Sequence, residues 1–333
     1  MKRLLVGLLT AVAALHQLQA ASNAVPNTNA TAVTAPDPND PVEKEYQQLL
    51  ADDDAAQEEA DQWIREKQAF AEKGAGAPNA ALNERILARF APIRKTYEDF
   101  LQRHPDHTRA RLAYGSFLMD IHDEDGAEAQ WEKARQLDPQ NPASWNNLAN
   151  HYTHRRPVTK AFDYYARAIE LNPREPLYYW NLATTVYLFR KDGMDFFSLT
   201  EQQIFDKSLE LYRKAFKLDP TNFPLATDLA QCYYGIKPTR TEDALVAWTN
   251  ALHVARDDIE REGVHVHLAR FKLNAGRFAE ARAHLSVVTN EMYAELKKRL
   301  TRNLTEREKE ASGTNAPPAA SAPSTNAPAA GKK

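Results

Sequence analysis

Residues 142–175 read PASWNNLANHYTHRRPVTKAFDYYARAIELNPRE. Apolar residues recur three or four positions apart in each half of it, which is typical of two amphipathic helices. Small side chains at Ala149 and Ala161 allow the two helices to approach closely, while larger apolar residues fill the space around them. Pro173 cannot continue a helix and so marks the end of the second one. The stretch therefore predicts a pair of antiparallel helices.

The same pattern recurs along the chain at a fixed interval. Trp131 and Tyr165 are 34 residues apart, and so are Pro139 and Pro173. A third copy of the closing proline follows at Pro220. A period of this length is typical of arrays in which each repeat is one helix pair, because a single pair cannot bury its apolar face alone.

This period and its residue types resemble the tetratricopeptide (TPR) repeat. The resemblance is most specific in residues 142–175 and extends over an array at residues 81–289. It implies an all-α, right-handed superhelical solenoid of antiparallel helix pairs, whose first helices line a concave groove. It also implies the binding of peptides or protein segments rather than catalysis, although a fold alone names no partner. The copies are residues 108–141, 142–175, 176–222, 223–256 and about 262–288.

Residues 1–20 predict a secretory signal peptide. A basic start at Lys2 leads into an uncharged apolar run over residues 4–15, and Ala20 and Ala21 offer a cleavage site. The run is shorter than the about 20 residues that a membrane-spanning helix needs. We therefore expect an exported protein, periplasmic or extracellular, with no membrane insertion after cleavage. A signal retained as an anchor is the alternative.

The segments outside the array follow from their composition. Residues 21–41 and 312–333 are rich in Ala, Pro, Asn, Ser and Thr without apolar periodicity, which predicts a disordered linker and a disordered tail. Residues 42–80 predict an N-terminal helix followed by a linker. Residues 290–311 carry alternating charges and predict a C-terminal capping helix with a solvated surface.

Charge and cysteine content exclude several function classes. The net charge is −3, which provides no long-range attraction for nucleic acid, so no nucleic-acid partner is expected. Cys232 is the single cysteine, so no internal disulfide can form and stability must come from packing. No nucleophile set, glycine-rich phosphate loop or carboxylate pair stands out. We predict a protein that is not an enzyme and has no cofactor or metal.

Two clusters that look like ligand sets are interpreted as structural. Residues 122–125 (His-Asp-Glu-Asp) lie between the two helices of one repeat, where a solvated polar turn is expected. His265 and His267 are two positions apart on a helix, so they point to different faces and cannot share a metal without other ligands. Cys232 is expected to be a small core residue.

The family's groove positions, carried over residue by residue, lie on the first helix of each repeat, on the side expected to be exposed. Asparagines at these positions could hold a peptide backbone, since an amide offers both a donor and an acceptor. The family's two-carboxylate clamp is not expected, because its lysine positions carry uncharged residues here. The predicted groove residues are Asn146, Asn147, Asn150, His154, Trp180, Asn181, Thr184, Tyr187, Asp228, Gln231, Tyr234, His267, Arg270 and Asn274.

Two non-enzymatic hypotheses follow. The first is an exported scaffold whose concave groove binds a peptide or protein segment. The second is a structural subunit of an envelope assembly or secretion complex that uses its convex face and an insertion at residues 191–203. That insertion lengthens one repeat and is interpreted as a loop, with a turn at Asp192 and Gly193 followed by Met194, Phe196 and Phe197. The next helix should start near Glu201, with Thr200 as its N-cap and Gln203 completing a capping box. An enzyme with an unrecognised site is a third, weaker alternative.

Overall fold

The computed structural model describes residues 37–72 and 79–314, and these residues form helices with no β-strand among them. The all-α class predicted from the repeats is therefore confirmed. The predicted signal peptide (residues 1–20), most of the linker and most of the tail lie outside the described residues. The last helix continues to Thr314, three residues into the segment predicted as tail. Ser312 supports this extension, because its Oγ donates to the Glu308 carbonyl at 2.8 Å.

The chain divides into two compact units, Met1–Pro220 and Thr221–Lys333, so the predicted array is shared between them. The helices of the first unit are α1 (Pro41–Glu72), α2 (Asn79–Arg103), α3 (Thr108–Asp120), α4 (Glu124–Leu137), α5 (Pro142–His154), α6 (Thr159–Leu171), α7 (Pro176–Leu188), α8 (Arg190–Phe197) and α9 (Glu201–Leu218). Those of the second unit are α10 (Phe223–Cys232), α11 (Thr241–Val254), α12 (Asp258–Asn274), α13 (Phe278–Ser286), the 3₁₀ turn η1 (Glu291–Tyr293) and α14 (Ala294–Thr314).

Consecutive helices pack as pairs, and the pairs stack on their neighbours within each unit. In the first unit the pairs are α1 with α2, α3 with α4, α5 with α6 and α7 with α9. In the second unit they are α10 with α11 and α12 with α13, while α14 packs on both α12 and α13. Short connections favour an antiparallel arrangement within the pairs whose partners follow each other directly, whereas α7 and α9 are joined through α8. This is the helix-pair architecture that the 34-residue period predicts.

Proline and side-chain caps set the helix boundaries. Asn141 caps α5 by accepting a hydrogen bond from the Ala143 amide at 3.0 Å, and Pro142 follows as the first helical residue, where its missing N–H costs nothing. Asn222 caps α10 in the same way. At the other end, α4 and α6 both stop two residues before a proline. The repeated proline is therefore the stop signal of α4, α6 and α9, which end two residues before Pro139, Pro173 and Pro220.

The core of each pair is built from the residues that repeat. Trp131, Tyr165, Tyr212 and Trp248 occupy equivalent positions and are all nearly fully buried. Alanines three positions later on the same helices are completely buried as well. A large ring beside a methyl group lets two helices cross closely without leaving a cavity. The repeat is thus a packing unit, which explains why its period is visible in the sequence.

Gly115 on α3 shows how close one of these crossings is. A Cβ atom at this position would lie 2.3 Å from the Nε1 atom of Trp131 on α4. The same Nε1 donates a hydrogen bond to the Leu112 carbonyl at 3.2 Å, so the indole is fixed from both sides. Glycine is therefore required here for close approach of the ring rather than for an unusual backbone angle.

Enlarging Ala161 should destabilise the first unit. Ala161 is completely buried between α5 and α6, so Ala161→Leu must displace neighbouring atoms. Overpacking a tight crossing costs about 1–3 kcal/mol. Thermal unfolding of the variant, beside Ala166→Leu on the same helix, tests the repeat register. Unchanged unfolding in Ala161→Leu would mean that the register is wrong.

The insertion differs from the loop that was predicted. Residues 190–197 form the short helix α8, which packs on α6, α7 and α9. Asp192 and Gly193 were interpreted as a turn, but Gly193 is buried, and a Cβ there would lie 3.4 Å from the Ile204 Cδ1 atom. That distance is an ordinary van der Waals contact, so Gly193 is a buried helical residue rather than part of a turn. The predicted start of α9 at Glu201 and its capping box of Thr200 and Gln203 are both confirmed.

Candidate binding surfaces

The structure corrects the expected exposure of four predicted groove residues. Asn146, Asn147, Trp180 and Asn181 expose only 1%, 5%, 5% and 8% of their surface. They lie on α5 and α7, the first helices of two adjacent pairs, which contact each other. The prediction placed them on an exposed face because they match the groove positions that the resemblance to tetratricopeptide repeats implies. Packing between repeats covers that face instead.

The buried asparagines bind each other rather than facing solvent. Asn181 Nδ2 on α7 donates to Asn146 Oδ1 on α5 at 3.0 Å, and Asn146 Nδ2 donates to Asn147 Oδ1 at 3.4 Å. A buried amide without partners would be costly, so these bonds fix the alignment of one first helix on the next. This row of amides stabilises the register of the array.

The other predicted residues of the first unit remain accessible to different degrees. Asn150, Thr184 and Tyr187 are partly exposed, and His154 at the end of α5 is exposed. Asn150 Oδ1 accepts a hydrogen bond from the Tyr165 hydroxyl at 2.6 Å, and the Thr184 and Tyr212 hydroxyls are 2.7 Å apart. These side chains are held in place by the second helices, while part of each surface stays open to a ligand.

In the second unit, predicted residues gather around a stacked histidine. The His267 imidazole lies flat on the Trp248 ring, with centroids 4.0 Å apart and an interplanar angle of 3°. The Tyr234 hydroxyl and His267 Nδ1 are 2.8 Å apart, and Tyr234 also packs on Phe271. Burial lowers the pKa of His267 to about 4, with Arg270 adding to the effect. His267 is therefore neutral at pH 7 and shares a hydrogen bond with the Tyr234 hydroxyl.

Arg270 connects this aromatic cluster to an open cleft. Its guanidinium lies over the Tyr234 ring, with Cζ 5.6 Å from the ring centroid. Arg270 and Asn274, one helical turn apart on α12, line a cleft of about 500 Å³ that α14 closes from the other side. The full lining is Arg270, Leu273, Asn274, Arg299, Leu300, Asn303, Glu306, Arg307 and Glu310. We call this space the α12–α14 cleft.

The sequence prediction missed the α14 half of the cleft. Arg299, Asn303 and Arg307 are spaced four residues apart, so they form one row along α14. Leu300 and Leu304 form the adjacent row and are buried against the unit, which turns the polar row toward α12. The segment was interpreted only as a solvated cap because its charges alternate. The sequence signal for this wall of the cleft is the four-residue spacing of Arg299, Asn303 and Arg307 beside Leu300 and Leu304.

One arginine of the cleft already bridges its two walls. Arg307 Nη1 on α14 donates to the Leu273 carbonyl at 3.3 Å and to Asn274 Oδ1 at 3.4 Å on α12. The remaining predicted residues of this unit differ in accessibility, since Gln231 and Asn274 are exposed and Asp228 is partly exposed. The α12–α14 cleft therefore combines guanidinium and amide groups from two helices around an accessible space.

Protonation of His267 should destabilise the second unit at acidic pH. The unfolded histidine titrates near pH 6.5, whereas the folded one titrates near pH 4. Above pH 6.5 neither state binds this proton and the full stability is present. Between pH 6.5 and 4 only the unfolded state binds it, so the free energy of unfolding falls, by up to about 3 kcal/mol.

Urea unfolding followed between pH 7.5 and 4 measures this loss for the wild type and for His267→Phe. The phenylalanine ring preserves a stack on Trp248 but cannot titrate, so its stability should fall less over the same pH window. Equal pH dependence in the two proteins would contradict the assignment.

The clusters interpreted as structural have structural partners. Asp123 caps α4 by accepting from the Gly126 amide at 3.0 Å and pairs with Arg94, also at 3.0 Å. Cys232 is buried, with its thiol 3.3 Å from the Asp228 carbonyl. Within residues 37–72 and 79–314, no group of three or more His, Cys, Asp and Glu could hold a metal ion. None of the helices in this described part has the length and apolar composition needed to cross a membrane.

No protein-family model and no curated protein matches the sequence. Solved structures give weak likenesses. The C-terminal part of a TPR repeat-containing protein from Cytophaga hutchinsonii aligns with a TM-score of 0.49 at 14% identity, covering 74% of this chain and 98% of that one. YrrB, a TPR protein with an unusual peptide-binding site, gives 0.47 at 12% identity, covering 62% and 97%. PilF from Pseudomonas aeruginosa gives 0.46 at 14% identity, covering 77% and 99%.

At these scores and identities the likenesses carry no weight in the argument for the fold. The fold is defined by the chain's own features: the 34-residue period, the paired helices and the buried ring at the equivalent position of successive repeats. Together they define an all-α protein built from helix-pair repeats, whose period and residue types resemble the tetratricopeptide repeat.

Proposed function

We propose that this protein is a non-enzymatic scaffold that holds a segment of another protein in the α12–α14 cleft. The observation that carries the proposal is the convergence of Arg270 and Asn274 on one wall with Arg299, Asn303 and Arg307 on the other. Two helices that present donors to one open space can hold a chain from both sides. A second depression, of about 540 Å³, is lined by Pro38 and by residues at the start of α1. Among the described residues it has no second helix on its other side that could hold a chain.

The chemistry of the lining indicates which segment fits. A guanidinium offers fixed pairs of N–H donors that match a carboxylate, and an amide can both donate to and accept from a peptide backbone. Leu273 and Leu300 add apolar surface between the polar groups. Glu306 and Glu310 on the α14 side disfavour a uniformly acidic segment, because like charges repel. We infer a partner segment with one or two carboxylates in an otherwise uncharged or mixed sequence.

The accessible members of the predicted groove in the first unit provide a separate contact surface. Asn150, Thr184 and Tyr187 are partly exposed and pre-positioned by hydrogen bonds or ring contacts with the second helices. Side chains whose conformations are already fixed lose little entropy when a ligand binds. We propose that they add a weaker second contact, independent of the cleft.

We also propose that the chain is exported, with a mature form that begins near Ala21. The basic start and the short apolar run of residues 4–15 support this proposal. N-terminal sequencing of the protein recovered from outside the cytoplasm tests it. A chain that still begins at Met1 would contradict cleavage.

Site-specific photo-crosslinking tests the location of binding. A photoreactive phenylalanine analogue at Asn303 should capture a discrete protein partner, because Asn303 lines the cleft. The matched control places the analogue at Val246 on α11, which is 62% exposed and lies outside the cleft. Capture at Asn303 alone, competed by an excess of unlabelled scaffold, is the expected result. Equal capture at both positions would contradict a dedicated cleft.

A second candidate function, an assembly subunit that uses the 191–203 insertion, is favoured by a different observation. Leu188 and Phe196 expose 56% and 37% of their surfaces near α8. Against this, the Phe196 and Phe197 rings both pack on Phe162 of α6, with centroids 5.3 and 5.2 Å away. Through these rings the insertion covers part of the preceding repeat, residues 142–175.

The double variant Phe196→Ala/Phe197→Ala separates these roles. We expect a lower melting temperature of the first unit with partner capture at Asn303 unchanged, because the rings stabilise α8 on α6. Truncating a single exposed residue, Leu188→Ala, serves as the control and should change the melting temperature less. Loss of partner capture with unchanged stability would favour the assembly role instead.

A further inference from the structure

Two histidines of the second unit face each other outside the α12–α14 cleft. His265 lies on α12 and His284 on α13, and their Nδ1 atoms are 2.9 Å apart. The ring centroids are 5.2 Å apart and the ring planes are inclined by 35°. Both side chains are partly exposed, so an ion can reach them from solvent. His267, two positions along, faces Tyr234 and Trp248 and takes no part in this pair.

Both imidazoles are in the form that binds metal ions at neutral pH. Burial lowers the pKa of His265, although nearby Glu262 opposes the shift. Burial also lowers the pKa of His284, and positive charge from His265 and Lys272 lowers it further against the effect of Glu280. Metal ligation requires neutral imidazole. Because these environments disfavour protonation of both rings, they favour the binding of a metal ion.

The rings must turn before both nitrogens can face one ion, so the metal preference follows from ligand type rather than from the present nitrogen separation. Imidazole nitrogen suits Cu²⁺, Ni²⁺ and Zn²⁺, and among these the affinity of a given nitrogen and oxygen site peaks at Cu²⁺. Cu²⁺ and Ni²⁺ also prefer a tetragonal arrangement of nitrogen and oxygen ligands, which two imidazoles and water can supply. We therefore expect Cu²⁺ to bind most tightly.

We propose that His265 and His284 form a two-histidine site for Cu²⁺ or Ni²⁺ between α12 and α13, completed by water. The nearest carboxylates have other roles. Glu262 accepts from the Thr289 and Asn290 amides at 2.7 and 2.6 Å, and Glu280 pairs with Lys272 and Arg277. No third protein ligand from the described residues joins the pair. The site is therefore open and its ion exchangeable.

Without an ion, one Nδ1 proton bridges the two rings. The two ring centroids are 5.2 Å apart and the two Nδ1 atoms 2.9 Å apart. Because the difference is about two ring radii, each Nδ1 atom points at the other. Ion binding requires each ring to turn toward the ion. The bridging Nδ1 proton leaves to solvent while Nε2 of the same ring takes one up, so both imidazoles stay neutral. Acid competes with the ion, and the affinity falls as pH decreases.

Calorimetric titration of the tag-free full chain with CuCl₂, NiCl₂ and ZnCl₂ at pH 7.5 tests the proposal. We expect one saturable Cu²⁺ equivalent, weaker Ni²⁺ binding and still weaker Zn²⁺ binding. His265→Ala and His284→Ala should each reduce the Cu²⁺ affinity at least tenfold. His253→Ala, which removes an exposed histidine on α11, is the matched control and should leave it unchanged.

Two further readouts keep the proposal falsifiable if an alanine variant is unstable. Saturating Cu²⁺ should raise the melting temperature of the wild type but not that of His284→Gln. Electron paramagnetic resonance of the Cu²⁺ complex should show a tetragonal ion with two nitrogen ligands. Equal Cu²⁺ affinity in the wild type and both alanine variants, or tighter Zn²⁺ than Cu²⁺ binding, would overturn the proposal and leave a pair that only shares a proton.

Discussion

Replacing Trp131 by alanine should lower the free energy of unfolding of the first unit by about 3–5 kcal/mol, the usual cost of deleting a buried aromatic ring. Trp131 is 1% exposed and fills the crossing of α3 and α4 against Gly115. The substitution also leaves the Leu112 carbonyl without the indole N–H that it accepts. Both losses act at one position, so we expect no other alanine substitution in α3 or α4 to cost more.

Urea unfolding followed by circular dichroism measures this loss. Trp145→Ala is the matched control, because Trp145 is only partly buried and its Nε1 donates to the Pro139 carbonyl at 2.9 Å outside the core of the pair. We expect the control to lose clearly less stability. Equal losses in the two variants would contradict the claim that the ring at the repeated position is the centre of each packing unit.

Reversing two charges in the α12–α14 cleft should weaken partner binding at least a hundredfold. Arg270→Glu and Arg307→Glu each remove a guanidinium from one wall of the cleft and introduce a repelling carboxylate. A hydrogen bond to a charged group contributes about 1.5–3 kcal/mol, so losing two is expected to cost about 3–6 kcal/mol. Fluorescence anisotropy with the partner peptide identified by crosslinking measures the change.

Arg302→Glu provides the control for net charge. Arg302 is exposed on the same helix but does not line the cleft. It should change the affinity less than threefold at physiological salt, where charges beyond about 8 Å are largely screened. Melting temperatures of all three proteins should agree within a few degrees. A loss of affinity in Arg302→Glu as large as in the double variant would indicate nonspecific attraction rather than a defined site.

The repeat architecture was predictable because its determinants are local and periodic. A small residue at Ala161, a ring at Tyr165 and a proline at Pro173 act within one helix pair, so their spacing alone indicates the pair. The capping box at Thr200 was predictable for the same reason. Each of these features depends on residues less than one repeat apart.

The groove was only partly predictable because exposure depends on the neighbouring repeat. Asn146 is buried by α7 and its partner is Asn181, 35 residues later. Nothing in the local pattern distinguishes an asparagine that faces a ligand from one that faces the next first helix. The same limit explains the insertion, where Gly193 packs against Ile204 although the local sequence is typical of a turn.

The cleft required a tertiary contact between distant helices. Asn274 and Arg307 are 33 residues apart and belong to helices with different predicted roles, one a groove helix and one a cap. The alternating charges of α14 are typical of a solvated helix, so the row of Arg299, Asn303 and Arg307 was not recognised as a binding surface. Only the packing of Leu300 and Leu304 against the second unit shows which way that row faces.

Hydrogen exchange with and without the bound partner measures directly whether the α12–α14 cleft is the binding site. We expect slower amide exchange in the C-terminal half of α12 and in α14 around residues 299–310 when the partner is present, with α8 unchanged. The Arg270→Glu/Arg307→Glu variant should show no such protection. Protection confined to α8, or none in α12 and α14 at a saturating partner concentration, would contradict a scaffold that binds through this cleft.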